Sequence, residues 1–318
     1  MNSTSLTPLE VAEILKITKN TVYELIKRGE LPAYKVGKKL RIDKEDIENY
    51  INSQKGTTSS VNKPQKKEIS VNEPDTDNEI NSNDKNIIIC GQDMILDILG
   101  RNLETSLPSV KSYRSYMGSY NGLFNLYNNK VSITSAHLWD WETSEYNVSF
   151  VKKLLPGIPC VIVNLAYRMQ GFYVQKGNPK NIKGWEDLNR EDLSYINRER
   201  GCGVRVLLDG KLREFNIPSS SVNGYNYEES SHLSVASSIA RGKGDFGLGI
   251  EKVAKQIDNI DFIPLQKERY DLVIKKENLE SPAYKEILNI INSYDFKGEL
   301  EGLGGYDLKD TGKIISET

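Results

Sequence analysis

Residues 52–86 read NSQKGTTSSVNKPQKKEISVNEPDTDNEINSNDKN, a run of Ser, Thr, Asn, Lys and acidic residues with two prolines and almost no large apolar side chain. Such a composition cannot bury enough surface to offset the entropy of ordering it. It divides the 318-residue chain into two unequal parts, each of which must find its own core. The expected organisation is a small domain over residues 1–53, a flexible linker over 54–86 and a large domain over 87–318.

Several function classes drop out early. No apolar run approaches the ~20 residues of a membrane span, and MNSTSLTPLE lacks the basic and apolar segments of a secretory signal. A cytoplasmic protein with no membrane partner is expected. Cys90, Cys160 and Cys202 stand far apart without a C-x-x-C spacing, beside only two histidines, which speaks against a metal site and a disulfide framework alike. No P-loop, dinucleotide fingerprint, G-x-S-x-G or H-E-x-x-H is present, so neither a cofactor nor an enzymatic activity is expected. The net charge is −2, but residues 1–55 carry ten Lys and Arg against eight Asp and Glu, so the small positive excess lies at the N-terminus.

There, Thr7, Pro8 and Glu10 form the start signal of a helix with a capping box, and Leu9, Ala12 and either Ile14 or Leu15 are expected as its apolar stripe. Thr18 caps a second helix, in which Val22, Leu25 and Ile26 face inward and Gly29 provides a left-handed end. AYKVGKKLRI predicts two short strands about Gly37-Lys38. Asp43, followed by Asp46, then caps a third helix with Ile47, Tyr50 and Ile51 on its apolar side.

Helix, turn, helix, two-stranded wing and closing helix make a winged helix-turn-helix. LTPLEVAEILKITKNTVYELIKRGELPAYKVGKKLRIDKEDIENYI, residues 6–51, closely resembles the excisionase/MerR-type DNA-binding family. The partner this implies is double-stranded DNA. The exposed side of the second helix carries Lys19, Asn20, Thr21, Tyr23, Lys27 and Arg28, a mix able to touch base edges and phosphates. Lys38, Lys39 and Arg41 of the wing can reach the neighbouring backbone. One such module covers little DNA, so a homodimer on a pseudo-palindromic operator is expected.

Beyond the linker, apolar runs such as IIIC, VSITSA, CVIVNLAY, LSYIN and DFGLGI alternate with helical-period segments such as MILDILGRNL, GLFNLYNN, VRVLLDGKLREF and LSVASSIARG. This alternation predicts an α/β sheet covered on both faces. Residues 87–315 resemble the periplasmic-binding-protein-like domain that some bacterial regulators carry behind an excisionase-type module. The resemblance rests on GQDMILDIL, GSYNGLFNLYNNKVSITSAHLWDWETSEYN, VNLAYRMQGFYVQKGNPKNIKGWEDL, INRERGCGVRVLLD, SSHLSVASSIARGKGDFGLGI and RYDLVI. It implies a type II fold of two α/β lobes joined by crossing strands, with a ligand in the cleft and closure as the response. The whole chain is thus expected to be multidomain: a small α+β winged helix-turn-helix followed by a two-lobed α/β sensor.

Three stretches place a short polar or glycine-containing turn between a strand and a helix: 90–93 with Gln92 and Asp93, 118–121 with Ser119, Tyr120 and Asn121, and 201–204 with Cys202, Gly203 and Val204. Helix N-termini offer free N–H groups and partial positive charge, and glycine lets an anion approach them, although each stretch also reads as an ordinary βα turn. Arg198 and Arg205 flank the third turn, His137 follows one strand, Tyr167 and Arg168 follow another, and Ser231 and His232 lead into a helix. INRERGCGVR also looks like the signature of tungstate-binding periplasmic proteins, with Arg198 and Gly203 in the matching places, but Cys202 and Val204 stand where serine and threonine would donate hydroxyls. Molybdate or tungstate is therefore one expected ligand. A small organic acid or aromatic metabolite is the other, given Tyr120, Trp139, Trp141, Tyr167 and Tyr225.

Two further readings stay open. Cys202, at a helix start beside arginines, is expected to have the low pKa of a reactive thiolate. The excisionase likeness also admits an architectural DNA-binding protein without ligand sensing, for which the large second domain has no purpose. The leading expectation is a one-component transcriptional regulator whose C-terminal domain senses a small anion.

Overall fold

The computed structural model describes residues 5–27, 31–37, 39–44, 46, 47, 50 and 85–318. The chain forms two compact units, Met1–Asp75 and Thr76–Thr318. The expected linker, 54–86, lies outside the described residues except for Lys85 and Asn86.

The N-terminal unit runs β1 (Ser5–Leu6), α1 (Pro8–Leu15), α2 (Lys19–Lys27), β2 (Tyr34–Val36) and β3 (Lys39–Asp43). The capping box is formed: the Glu10 N–H donates to Thr7 Oγ1 at 3.4 Å and the Thr7 N–H to Glu10 Oε2 at 2.7 Å. Thr18 Oγ1 accepts from the Thr21 N–H at 3.3 Å and starts α2. Val11, Ala12, Val22, Leu25, Leu31, Ile42 and Ile47 form the core. Leu9 and Ile14, expected in the stripe of α1, are instead 55% and 49% exposed. The inward set is Pro8, Val11 and Ala12, with Leu15 partly covered, spaced three and four apart as one helix face requires. The hairpin turns at Gly37, whose φ of +63° suits glycine. β1 is a strand the sequence pattern did not reveal, because two residues carry no period; it pairs with Ile42 and Asp43 and gives the sheet order β1-β3-β2. Lys44, Asp46, Ile47 and Tyr50 are helical, whereas Gly29 and Ile51 lie outside the described residues.

The second unit contains β4 (Asn86–Cys90), α3 (Ile95–Ser106), β5 (Lys111–Ser115), α4 (Ser119–Tyr127), β6 (Ile133–Ala136), β7 (Trp139–Asp140), β8 (Glu145–Tyr146), α5 (Val148–Leu154) and β9 (Cys160–Gln175). It continues with β10 (Tyr195–Arg198), α6 (Gly203–Glu214), β11 (Glu228–Glu229), α7 (His232–Ala240), β12 (Phe246–Ile250), α8 (Glu251–Ala254) and β13 (Ile260–Lys275). It closes with α9 (Pro282–Asn292), α10 (Tyr294–Leu303) and β14 (Ile314–Glu317). One mixed nine-stranded sheet follows the path β11-β10-β12-β9-β13-β6-β4-β5, with β14 added along β9.

β9 and β13 are each 16 residues long and run antiparallel through both lobes. Val161–Val163 pair with β14, and Leu272 and Val273 pair with β6, in one lobe; Gln170–Val174 pair with β12 in the other. The ladder slips between Pro264 and Gln266 and between Tyr270 and Asp271, on either side of the crossing. Such irregularities bend a strand pair locally, which suits a hinge. Alternate residues face opposite helical layers: Val161, Val163, Leu272 and Ile274 enter the core under α3 and α9, whereas Cys160, Ile162 and Val273 meet α4 and α5. In the other lobe Phe172 and Val174 pack under α6 while Tyr173 packs under α7. Both faces of the sheet are covered, as the unbroken apolar runs predict. The run CVIVNLAY proves to be only half of β9, because polar Arg168 and Gln170 interrupt its pattern without ending the strand.

Candidate functional site

The carboxyl ends of β4, β5, β6, β10, β11 and β12 and the middles of β9 and β13 meet around a cavity of about 570 Å³. Ligands in α/β proteins favour this arrangement. Of the expected ligand residues, Gln92, Asp93, Ser119, His137, Arg168, Cys202, Ser231 and His232 come together on its wall.

At its base lies a charged cluster with almost no access to solvent. Arg168 Nη1 donates to Asp93 Oδ2 at 2.6 Å, and Nη2 pairs with Glu268. His137 Nδ1 is 2.8 Å from the other Glu268 oxygen. The Arg168 and His137 contacts to Glu268 are close by distance but lack hydrogen-bond alignment. Asp93 Oδ1 accepts from the Ile95 N–H at 2.9 Å and from the Tyr306 hydroxyl at 2.8 Å. The Arg168 guanidinium lies 3.9 Å from the Tyr270 ring centre, and the Tyr270 hydroxyl donates to Ser135 Oγ at 2.7 Å.

Burial alone would push both carboxyls up. For Asp93, the charge of Arg168 with the Ile95 and Tyr306 donors outweighs it; for Glu268, Arg168 and His137 do, and both acids are held below their ordinary values. Burial drives His232 the other way, and Arg198, Arg168 and His137 add to it, so its imidazole stays neutral well below its usual pKa.

Asp93 is thus spent on internal partners, whereas the two Glu268 oxygens, like several buried nitrogens, have close charged neighbours but no aligned hydrogen bond. Arg168 Nε, Arg198 Nη1 and His232 Nδ1 are buried nitrogen atoms with no hydrogen-bond partner in the protein. Gly118 and Ser119 at the start of α4, Cys202 at the start of α6, and Ser231 and His232 at the start of α7 bring three helix N-termini to the same wall. Helix N-termini converging on a cavity wall favour an anion there.

The other expected residues lie elsewhere. Arg198 stands behind the wall, where Nη2 donates to Gln92 Oε1 at 2.8 Å and to the Ser230 carbonyl at 3.2 Å, and Nε pairs with Glu199. The Gly203 backbone lies against the His137 ring, 2.7 Å from where a Cβ would sit, and Val204 is core. Tyr120 and Arg205 line a separate hollow with Arg200, Asp209 and Tyr225, in which Arg205 stacks on Tyr225 at 4.1 Å and pairs with Glu228. Asn121 donates to the Arg200 carbonyl at 3.4 Å. Tyr167 donates to Asp310 at 2.7 Å, outside the cavity wall, because the register of β9 turns it to the face opposite Arg168. Trp139 packs on Tyr146, and Trp141 is 41% exposed beside Gly210; neither lines the cavity.

The reactive-thiolate expectation for Cys202 is reversed. Burial pushes the thiol up by more than Arg198 draws it down. Thiol-probe labelling at neutral pH is expected to be far slower in the native chain than after unfolding, and rapid native labelling would contradict the buried geometry. Sequence reasoning missed Glu268, Tyr270 and Tyr306. The signal was available in QKERYDLVI, a charged cluster inside an otherwise apolar strand, but charge in a strand ordinarily means an edge.

In the N-terminal unit Lys19, Asn20, Tyr23 and Lys27 are exposed on α2 and Lys39 on β3, with Arg41 half-buried. Thr21 is partly occupied, its hydroxyl sharing a hydrogen bond with that of Thr18 at 2.9 Å. Arg28 and Lys38 lie outside the described residues.

A helix-turn-helix reader joined to a two-lobed binding domain is the class that these features define. The PBP superfamily domain matches residues 100–292, more than half of the chain, and the chain belongs to that family; the Helix-turn-helix domain family matches residues 5–55. It is 43% identical over 319 residues to the uncharacterized protein YvgK of Bacillus subtilis (strain 168), covering 100% of both chains. It is also 57% identical over 112 residues to a Clostridium pasteurianum protein from the 5′ region of a 2Fe-2S ferredoxin gene, covering 35% of this chain and 99% of that one. Among solved structures, an ABC-type phosphate transport receptor from Vibrio cholerae superposes with a TM-score of 0.50 at 14% identity, over 70% of this chain and 99% of that one. The effector-binding domain of a BenM variant gives 0.50 at 14% identity, over 70% and 98%. These likenesses establish the type II fold of the second unit.

Proposed function

We propose that the protein is a cytoplasmic, non-enzymatic transcriptional regulator that acts as a homodimer and couples a small anionic ligand in the cleft to DNA binding. The observation that carries this reading is the convergence of three helix N-termini and Arg168 on one cavity, in a chain that also holds a helix-turn-helix. Lobe closure about β9 and β13 would change the relative placement of the DNA modules in a dimer, and differential affinity of the ligand for the closed state would set the bias. The Vibrio cholerae protein is an ABC-type phosphate transport receptor, which agrees with an anion in this fold.

The test is operator binding by the full chain, on duplexes selected from genomic fragments, before and after the bound small molecule is stripped and restored. A change in affinity of about tenfold or more is expected, within the usual range of coupling energies. Lys27→Ala is expected to weaken all duplexes alike and to reduce the salt slope by about one. Operator affinity that ignores ligand loading would refute the sensor.

A further inference from the structure

The lobes already touch across the cleft. The Tyr120 N–H at the start of α4 donates to the Gly201 carbonyl at 3.0 Å, and Arg198 donates to Gln92 at 2.8 Å. The backbone at Gly118 lies against that of Gly201 and Cys202, so close that a Cβ there would sit 2.6 Å from the Cys202 Cα. The cavity of about 570 Å³ is therefore what remains with the closing contacts made. A tetrahedral oxyanion, with five heavy atoms, fills only a small part of it, and the rest has room for many waters. It would leave most of the space wet, and in a wet site its hydrogen bonds to the wall lose much of their strength.

The wall is also mixed. Besides the donors, Met94, Met117, Leu233, Ile250 and Val253 present apolar surface to the cavity. Leu233 is 50% exposed although it sits one residue beyond His232 at the N-terminus of α7. Pockets of about 300 to 1,000 Å³, lined by apolar groups with a few placed polar ones, are sites for organic molecules.

We infer that the cleft ligand is an organic anion, whose phosphate or carboxylate head meets Arg168 and the N-termini of α4 and α7, and whose carbon body covers Leu233, Val253 and the two methionines. This rests on the anion-sensing reading above and narrows its ligand class.

The experiment is calorimetry on the full chain, stripped of any bound molecule, with phenyl phosphate and benzoate against inorganic phosphate and molybdate. At least one aryl anion is expected to bind about tenfold more tightly than either inorganic ion, as burial of a ring would give. Leu233→Ser, a change at a half-exposed position that leaves the core intact, is expected to weaken the aryl anion severalfold and the inorganic ions less than twofold. Inorganic phosphate or molybdate binding as tightly as the aryl anions would overturn the organic body and leave the anion sensor standing, as would equal weakening of both classes by Leu233→Ser. No heat from any of the four at millimolar concentration would overturn this inference and count against the anion reading beneath it.

Discussion

Arg168→Gln is expected to destabilise the C-terminal domain by about 3–5 kcal/mol, because it strands two carboxylates in the interior. Asp93 and Glu268 both depend on that guanidinium, and Arg168 itself is only 4% exposed. Trp139, Trp141 and Trp185 all lie in the second unit, so their fluorescence reports its urea unfolding in the full chain. With a urea dependence of about 2–3 kcal/mol per molar, the midpoint should fall by roughly 1–2.5 M.

The pH dependence makes the expectation sharper. The native pKa values of Asp93 and Glu268 are lowered, so their contribution is fully present above the unfolded carboxylate pKa near 4 and is lost as pH falls through the lower native values. Without Arg168, burial dominates and raises those native pKa values above the unfolded ones. At these two carboxyls the native state then binds more protons than the unfolded one, so the midpoint should rise relative to that of the unsubstituted chain as pH is lowered from 7 toward 5. Asp271, raised by its burial, contributes that same sign in both proteins and cancels in their difference. His232, held neutral in the native state, contributes the opposite sign in both chains. A loss below ~1 kcal/mol with an unchanged pH slope would show that the cluster is not held together by this arginine.

Gly118→Ala is expected to weaken the closed arrangement of the lobes about 10- to 100-fold, equivalent to about 1.4–2.7 kcal/mol and within the ~1–3 kcal/mol typical of overpacking. Gly118 has a φ of −71°, which any residue adopts, so the cost is contact and not backbone strain. The added methyl would meet the Gly201 carbonyl and the Cys202 backbone, and none of these atoms can swing away as a long side chain could. Hydrogen exchange at Tyr120, whose N–H bonds to Gly201 across the cleft, should accelerate by at least about tenfold, while amides in β9 and β13 keep their protection. Unchanged exchange at Tyr120 would mean that the lobes accommodate the methyl within the closed form.

Much of the architecture was legible because it rests on local rules. Thr7 with Glu10, Thr18 and Gly37 mark ends and turns through short-range hydrogen bonds and backbone freedom, and each is found where the pattern put it. The apolar runs named the central strands because both sheet faces are buried. The site was legible only in part. Ser119, Cys202 and Ser231 were found from strand-turn-helix order, which is local. Tyr120, Val204 and Arg205 lay in or beside the same kind of turn, and Tyr167 was placed after a strand, yet all turned elsewhere, since side-chain direction depends on strand register and on the neighbours of each helix start.

The sequence alone determined that a DNA-reading module precedes a larger α/β domain, because caps, turns and burial periods are encoded within a few residues of one another. Only the tertiary structure decided what the cleft contains. Asp93, Arg168, Glu268 and Tyr306 are brought together from β4, β9, β13 and the segment after α10, and their charges and the space above them have meaning only once those distant strands cross.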